Sequence, residues 1–322
     1  MNYYNSLFTS ANPRAIEEST SVVERKVTPA MASKLLNAFT MEEVAAVVNQ
    51  MGPLKAPGSD GYTVGFYQQH WATMGPKVCE AELHFFNSSV MDLAINMTHV
   101  ALIPKNNNPL SVLDYRPISL CNVMYKIISK VLANRLKEVL PHIISPFQSA
   151  FLSGRLITDN ILAAYETFHT MHTHMWSKVG YMGIKLDMSK AYDRVEWAFL
   201  ESVMNKMGFP ARWIQLIMEC VRTITYALLL NGHLMGHIIL ERGSRHGDPL
   251  SPYLFLICAK SLNAMLSKVE KNGVFTRVPT SKKGPRISHL VFMDDNLLFC
   301  NANSAEWRRL TKILDKYEMA SG

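Results

Sequence analysis

Three aspartates stand where buried strands would end, and their type and position suit them to chemistry. Asp187 follows an apolar segment that begins at Tyr181, and Asp294 and Asp295 separate two further apolar segments. An unpaired carboxylate is strongly disfavoured in a low-dielectric interior, so carboxylates at such positions need a counter-charge. Taken singly, each has an ordinary explanation, because Asp294 and Asp295 suit an exposed hairpin turn and Asp187 suits a helix N-cap.

The order of the elements gives the three carboxylates a common purpose. A strand, an aspartate and a helix, followed later by two strands joined at Asp294 and Asp295, would bring the side chains to neighbouring strand ends of one antiparallel sheet. Like charges that close raise one another's pKa unless divalent cations separate them. Two Mg²⁺ ions about 4 Å apart would activate an attacking 3′-hydroxyl and stabilise a leaving pyrophosphate. Asp187, Asp294 and Asp295 therefore predict a site for Mg²⁺, which Mn²⁺ could replace.

The elements that must position these residues are predicted from apolar periodicity and turn residues. The segment through residue 38 is polar and weakly patterned, which predicts an N-terminal tether with little fold. Thr40, with Glu43 three residues on, predicts the N-cap of a helix. An apolar strand that ends at Ile103 and a second strand from Tyr115 predict a hairpin.

The second half of the chain carries clearer signals. Residues 123–140 predict an amphipathic helix that ends at Pro141. Asn231-Gly232 lies between two apolar segments and is the strongest short hairpin signal in the chain. Ser251-Pro252 predicts the start of a further helix.

Composition narrows the function without fixing it. A net charge of +7 and a pI near 9.1 favour a polyanionic partner. The five cysteines are odd in number and far apart among apolar neighbours, which predicts reduced, buried thiols. The sequence has no apolar run of the roughly 20 residues that span a bilayer and no signal-peptide pattern at its start. We therefore expect a protein that is not secreted, stays inside the cell and has no membrane partner.

Seven short blocks follow one another along the chain and agree with one family in order and spacing. They are Lys55-Ala56-Pro57-Gly58-Ser59-Asp60-Gly61, Leu102-Ile103-Pro104-Lys105, Tyr115-Arg116-Pro117-Ile118-Ser119-Leu120, Gln148-Ser149-Ala150-Phe151 with Gly154-Arg155, Leu186-Asp187-Met188-Ser189-Lys190-Ala191-Tyr192-Asp193, Gly247-Asp248-Pro249-Leu250-Ser251-Pro252 and Phe292-Met293-Asp294-Asp295. In this order the chain resembles the reverse transcriptases of plant LINE-type, non-LTR retrotransposons. The resemblance extends from about Phe39 to the end of the chain.

The resemblance implies an α+β right-hand polymerase fold. Fingers at about 39–180 would precede a palm at about 181–322, in which an antiparallel sheet is backed by helices. The chain ends where the family continues into the rest of the palm and a thumb, so a truncated domain without a thumb is expected. The implied activity is RNA-directed DNA synthesis, with an RNA template, a DNA primer and deoxynucleoside triphosphates as partners. Such elements integrate in the nucleus, so a nuclear location is implied.

The resemblance also implies roles for the charged residues. Asp187 and Asp294 would hold both metal ions, and Asp295 would complete the carboxylate cluster. Lys105 and Arg116 match finger residues that grip the incoming triphosphate, a task that suits a point charge and a forked guanidinium respectively. Without the resemblance, the same two residues would suggest a solvated basic hairpin.

Four further positions correspond to the nucleotide-binding part of the family, and one of them departs from it. Tyr192 would lie under the sugar and exclude a 2′-hydroxyl, and Met293 would lie near the primer end. Gly247 would let the backbone approach the nucleotide closely. His246 departs from the family, which has Gln there to contact the sugar, and because imidazole reaches less far we expect reduced turnover.

A second function from a different class is kept open. Without a thumb, the primer-template duplex would lose backbone contacts and with them phosphate affinity. The chain could then be a catalytically silent remnant, or an RNA-binding protein of the maturase kind that uses the same basic cleft without chemistry. The intact set of three aspartates favours the enzyme, because a cleft that only binds phosphates needs no acidic cluster.

Overall fold

Helices and short strands alternate along the chain in the mixed α+β arrangement that the sequence predicted. The computed structural model describes residues 2–145, 148–152, 154–173, 180–273, 275–280, 284–293 and 295–322. Within them the helices are α1 (Asn2–Phe8), α2 (Ile16–Thr20), α3 (Pro29–Leu36), α4 (Met41–Gln50), α5 (Val64–Gln69), α6 (Trp71–Ser88), α7 (Leu93–Asn96), α8 (Val123–Ile143), α9 (Ile157–Thr173), α10 (Trp197–Met207), α11 (Ala211–Arg222), α12 (Ser251–Lys271) and α13 (Ser304–Ser321). The strands are β1 (Met97–Pro104), β2 (Tyr115–Cys121), β3 (Tyr181–Asp187), β4 (Thr225–Leu230), β5 (His233–Ile239), β6 (Val278–Pro279), β7 (Arg286–Ile287), β8 (His289–Phe292) and β9 (Asp295–Asn301).

A four-stranded sheet, in the order β2-β1-β4-β5, contains both hairpins that the sequence predicted. β1 pairs with β2 antiparallel, so that Ile103 lies opposite Arg116. β4 and β5 join through Asn231 and Gly232, whose φ angles of 51° and 81° are the left-handed pair that this tight turn requires. The parallel pairing of β1 with β4 was not predicted, because it joins segments more than a hundred residues apart.

A three-stranded antiparallel sheet, in the order β3-β9-β8, carries Asp187 and Asp295, two of the three predicted carboxylates. Side chains alternate between its two faces, and one face packs into the main core through residues such as Ile184, Leu186 and Leu298. Phe299 lies on the other face, under α9, where its ring is 5.4 Å from that of Phe168. The strand positions and the antiparallel direction agree with the sequence analysis.

The N-terminal residues do not form the tether that the sequence predicted. Tyr4 and Phe8 are 2% and 1% exposed and belong to the same apolar cluster as the rest of the chain. The prediction of little fold is therefore wrong. The prediction failed because polar residues of this segment are buried with hydrogen-bond partners from distant helices. The hydroxyl of Ser19 donates to the carbonyl of Lys316, and the carbonyl of Ser19 accepts a hydrogen bond from the hydroxyl of Ser261.

Of the helix ends predicted at Thr40 and Pro141, one was correct and one was not. Thr40 caps α4 by accepting a hydrogen bond from the amide of Glu43, which confirms the predicted N-cap. α8 continues through Pro141 to Ile143, so the predicted end at the proline is wrong. The five cysteines are free and buried, as predicted. The helices in the described residues include none with the length and apolar character to cross a bilayer.

One large apolar cluster joins residues from Tyr4 to Ala320. A smaller cluster of Val278, Ile287, Leu290 and Phe299 lies beneath α9. The division into fingers at about 39–180 and palm at about 181–322 stays a prediction.

Candidate active site

The end of the three-stranded sheet brings two of the three predicted carboxylates together. In the pairing of β3 with β9, Asp187 lies directly opposite Asp295. Opposite residues of an antiparallel pair have Cβ atoms about 4.5 to 5.5 Å apart, so both side chains share one end and one face of the sheet. Asp294 lies outside the described residues.

Lys185 supplies a positive charge at this carboxylate pair. It lies two residues before Asp187 and so on the same face of β3. Its Nζ is 3.0 Å from Oδ1 of Asp295, and the two side chains are 66% and 55% exposed. The sequence analysis gave Lys185 no role, although the two-residue period of a strand places it beside Asp187.

The donor set fits a hard divalent cation. Mg²⁺ prefers oxygen ligands and commonly uses one or two carboxylates together with water and substrate phosphates. Asp187 and Asp295 are both exposed, and the ammonium of Lys185 already occupies the position of a counter-charge. Across the described ranges, no three His, Cys, Asp or Glu side chains are grouped to hold a metal ion. The part in metal binding given to Asp294 therefore stays a prediction.

Met293 and Tyr192 are in contact beside the carboxylates. Met293, in the turn between β8 and β9, has a φ of 55° and a buried side chain. Its sulfur lies 3.8 Å from the hydroxyl of Tyr192. The Tyr192 ring stacks on Phe255 of α12, with 5.3 Å between ring centroids. The turn between β8 and β9 therefore places Met293 in contact with Tyr192, which follows β3 in sequence.

His246 lies next to Tyr192 and is fixed by a buried acid. The two rings are 5.4 Å apart, and Nε2 of His246 is 3.1 Å from Oδ1 of Asp193. His246 is 35% exposed, whereas Asp193 is 1% exposed. The second oxygen of Asp193 has no hydrogen-bond partner in the described part of the chain. Sequence reasoning placed Asp193 in a block with Tyr192 but gave it no role.

The loop before α12 follows the segment after β3 closely. Ser244 donates to the carbonyl of Tyr192 through both its amide and its hydroxyl. Gly243 has a φ of +94°, and a Cβ there would lie 2.6 Å from the carbonyl oxygen of Asp193, so only glycine fits. Gly247 also has a left-handed φ, of +97°, with more open surroundings.

Asp248 holds the same loop through hydrogen bonds to Tyr125 and Leu250. It is buried and accepts hydrogen bonds from the hydroxyl of Tyr125, at 2.9 Å, and from the amide of Leu250. Burial and the nearby carboxylate raise the pKa of Tyr125 well above its usual range, which keeps that hydroxyl protonated as a donor. The guanidinium of Arg245 lies 3.9 Å from the centre of the Tyr125 ring. Asp248 therefore has a structural role at the start of α12.

Lys105 and Arg116 both lie on the β1–β2 hairpin and are exposed. The ammonium of Lys105 donates to the carbonyl of Leu113 at 2.8 Å. The pKa of Lys190, in the segment after β3, is lowered by burial and by the charge of Lys105, against the opposing effect of Asp193. Within the described residues, no ion pair joins Lys105 or Arg116 to the carboxylate pair.

One hydrogen bond ties this hairpin to the nucleotide-binding residues that the sequence predicted. The amide of Ser119, on β2, donates to the carbonyl of His246 at 3.1 Å. The structure thus gathers Tyr192, His246 and Met293 into one group in contact, and it sets Asp187 against Asp295. The hairpin with Lys105 and Arg116 is attached to that group through backbone.

Comparisons with known proteins agree on one family. A family model described as reverse transcriptase (RNA-dependent DNA polymerase) matches residues 103–320. The transposon TX1 uncharacterized 149 kDa protein of Xenopus laevis is 28% identical over 83% of this chain and 20% of its own length. The Retrovirus-related Pol polyprotein from the type-1 retrotransposable element R2 of Popillia japonica is 26% identical over 80% of this chain and 34% of its own length. The Retrovirus-related Pol polyprotein from the type-2 retrotransposable element R2DM of Drosophila melanogaster is 23% identical over 97% of this chain and 27% of its own length. The chain thus spans about a third or less of the length of these relatives.

Proposed function

The chain belongs to the reverse transcriptase (RNA-dependent DNA polymerase) family, and from that premise we propose that it extends a DNA primer on an RNA template. Family membership confirms the coarse part of the resemblance found in the sequence. The observation that carries the proposal is the position of Asp187 directly opposite Asp295, because paired carboxylates at one sheet end suit two-metal nucleotidyl transfer. The assignment to a plant LINE-type element, and a nuclear location, belong to the same proposal.

The carboxylates would act through bound metal. Mg²⁺ held by Asp187, Asp294 and Asp295 would activate the primer 3′-hydroxyl and stabilise the leaving pyrophosphate. Lys185 neutralises Asp295 in the free protein and would have to release it when a divalent cation binds. With either cation present, the repulsion between the carboxylates of Asp187 and Asp295 is offset by a nearby positive charge.

The side chains around the carboxylates would bind and orient the nucleotide. Lys105 and Arg116 present a point charge and a forked guanidinium that suit a triphosphate. Tyr192 stacks on Phe255 and contacts Met293, and both contacts oppose a movement of its ring away from a 2′-hydroxyl. That rigidity supports a selection of deoxynucleotides over ribonucleotides.

His246 would hold the sugar less effectively than the glutamine that the family has there. Its Nε2 is already engaged by Asp193 at 3.1 Å, so only Nδ1 remains to face a substrate. A buried carboxylate without its partner would be costly, which opposes release of the ring. We therefore expect turnover that is lowered but not abolished.

The test is primer extension on poly(rA)/oligo(dT) with Mg²⁺. Wild-type protein is compared with Asp187→Asn, Asp294→Asn and Asp295→Asn, and with Asp315→Asn as a control of equal charge change on the exposed face of α13. Incorporation should be lost in the three site variants and kept in the control. If neither wild type nor control extends the primer while RNA binding is the same in all five proteins, the RNA-binding alternative replaces the enzyme.

A further inference from the structure

A basic groove lies between the N-terminal segment and the helices α12 and α13, and it shares no lining residue with the candidate active site. It consists of two cavities of about 450 Å³ and about 390 Å³, which are adjacent because both are lined by Val22 and Lys268. We call this feature the lysine groove. Its lysines are Lys26, Lys260, Lys268, Lys271, Lys312 and Lys316.

Two glutamates from the N-terminal segment occupy positions among these lysines. Glu24 lies 3.0 Å from the ammonium of Lys26 and 4.0 Å from that of Lys271. Glu18 pairs in the same way with Lys316. A hydrogen bond from Lys26, and then the charges of Lys26 and Lys271, lower the pKa of Glu24. Each carboxylate therefore sits where the groove would accept another anion.

Three of the six lysines have no acidic partner of this kind. Lys260, Lys268 and Lys312 form no ion pair with a carboxylate in the described part of the chain. Burial, followed by the charge of Lys26, lowers the pKa of Lys260, and the charge of Glu24 opposes this shift. Compensation of the helix dipole accounts for basic residues in the last turn of α12, but it leaves Lys260 and Lys312 unexplained.

The wall of the groove also contains an unsatisfied polar group. Asn263 is 4% exposed, lines the larger cavity, and its Oδ1 has no hydrogen-bond partner in the described residues. An amide can present either a donor or an acceptor to a ligand, since its two ends interchange by rotation. Buried polar groups without a partner are uncommon, and a ligand would satisfy this one.

We propose that the lysine groove binds the phosphate backbone of a nucleic-acid strand, at a site separate from the carboxylate pair. Two cavities in succession suit an extended polyanion better than a single phosphate group. Lysines act as point charges on phosphates, and each contact releases counterions and so adds affinity. Among the described residues, the lining of both cavities includes no aromatic side chain on which a base could stack. Contacts with phosphate alone carry no sequence information, so the binding is independent of sequence.

The test measures the affinity of a labelled single-stranded RNA by fluorescence anisotropy in EDTA, so that catalysis plays no part. The groove variant is Lys268→Gln with Lys271→Gln and Lys312→Gln, all exposed side chains. The control is Lys34→Gln with Lys77→Gln and Lys206→Gln, which are also exposed and change the net charge equally. In the groove variant, affinity should fall at least about tenfold, and the slope of log affinity against log salt should shrink by about two. The control should keep the wild-type slope.

Glu24→Gln provides the opposite test, because it removes the carboxylate that competes with phosphate. It should tighten RNA binding, whereas a merely structural role for Glu24 would leave the affinity unchanged or reduce it. Equal losses in the groove variant and the control would overturn the proposal, as would a Glu24→Gln protein that binds RNA no better than wild type. RNA affinity that is unchanged in the groove variant, together with loss of dATP or pyrophosphate binding, would assign the groove to free nucleotides and reject the strand.

Discussion

The ammonium of Lys185 lies 3.0 Å from Oδ1 of Asp295, on the same sheet face as Asp187. A cation of the protein itself therefore competes with any metal ion for this carboxylate. Lys185→Gln should lower the Mg²⁺ concentration that gives half-maximal primer extension. We expect a change of about fivefold, since two unit charges about 4 Å apart in water interact by about 1 kcal/mol.

The measurement is a Mg²⁺ titration of incorporation, repeated with Mn²⁺. Lys77→Gln, on the exposed face of α6, controls for the loss of one positive charge. A Lys185→Gln protein that needs more Mg²⁺ than wild type would show that the lysine assists the site instead of competing for it.

His246→Gln tests whether the contact of His246 with Asp193 limits the reaction. Glutamine reaches further than imidazole and keeps its donor at every pH, so it should contact the sugar of the incoming nucleotide better. Incorporation should rise by about fivefold, the equivalent of one net hydrogen bond of about 1 kcal/mol. The change should appear in steady-state kinetics with dTTP on poly(rA)/oligo(dT).

His246→Ala is the matched control for this substitution. It removes the imidazole that pairs with Asp193 Oδ1 in the described residues and leaves a buried carboxylate unpaired, so both stability and incorporation should fall. Equal incorporation by the glutamine and alanine variants would mean that residue 246 does not contact the nucleotide.

Phe8→Ala tests whether the N-terminal helix is part of the folded domain. The Phe8 ring packs edge-on against Tyr226 with centroids 5.2 Å apart, and the backbone carbonyl of Phe8 accepts hydrogen bonds from the backbone amides of Glu241 and Arg242. Loss of a buried phenyl ring costs about 3 to 5 kcal/mol of unfolding free energy. Chemical denaturation should show this loss, whereas Leu110→Ala, at a side chain that is 87% exposed, should leave stability unchanged. A Phe8→Ala protein as stable as wild type would support the prediction that the N-terminal segment is a tether outside the folded domain.

Local signals in the sequence predicted the parts of the site that lie on single elements. The strand that ends at Asp187 and the hairpin around Asn231 and Gly232 follow from apolar patterning and turn residues, and both were confirmed. The alternation of strand side chains could also have placed Lys185 beside Asp187. Local patterning carried the prediction this far because it needs no knowledge of the partner strand.

Contacts between segments that are far apart in the sequence could not be predicted from local patterning. The burial of Asp193 depends on the loop at Gly243, fifty residues later, and no property of the Tyr192-Asp193 pair signals it. The parallel pairing of β1 with β4 likewise depends on packing of the whole chain. Polar residues of the N-terminal segment are buried because α12 and α13 supply their hydrogen-bond partners, which composition cannot show.

Glu82 gives the fold a stability that depends on pH. Its carboxyl group, on α6, is 1% exposed, and neither oxygen has a hydrogen-bond partner in the described residues. Burial raises its pKa well above the usual range, so the folded protein keeps a proton that the unfolded chain gives up near pH 4. Stability is therefore fully present below the pKa of the unfolded chain, and it is lost as pH rises toward the raised pKa of the folded state.

Glu82→Met removes this penalty while filling nearly the same space. The variant should be more stable than wild type at pH 8, by about 1 to 3 kcal/mol, and the gain should shrink at pH 5. Glu80→Met, two residues earlier on the same helix and exposed, should show no such dependence on pH. Denaturant melts of the three proteins at both pH values measure the difference. A gain in the Glu82 variant that is the same at pH 5 and pH 8 would mean that Glu82 is not protonated by folding.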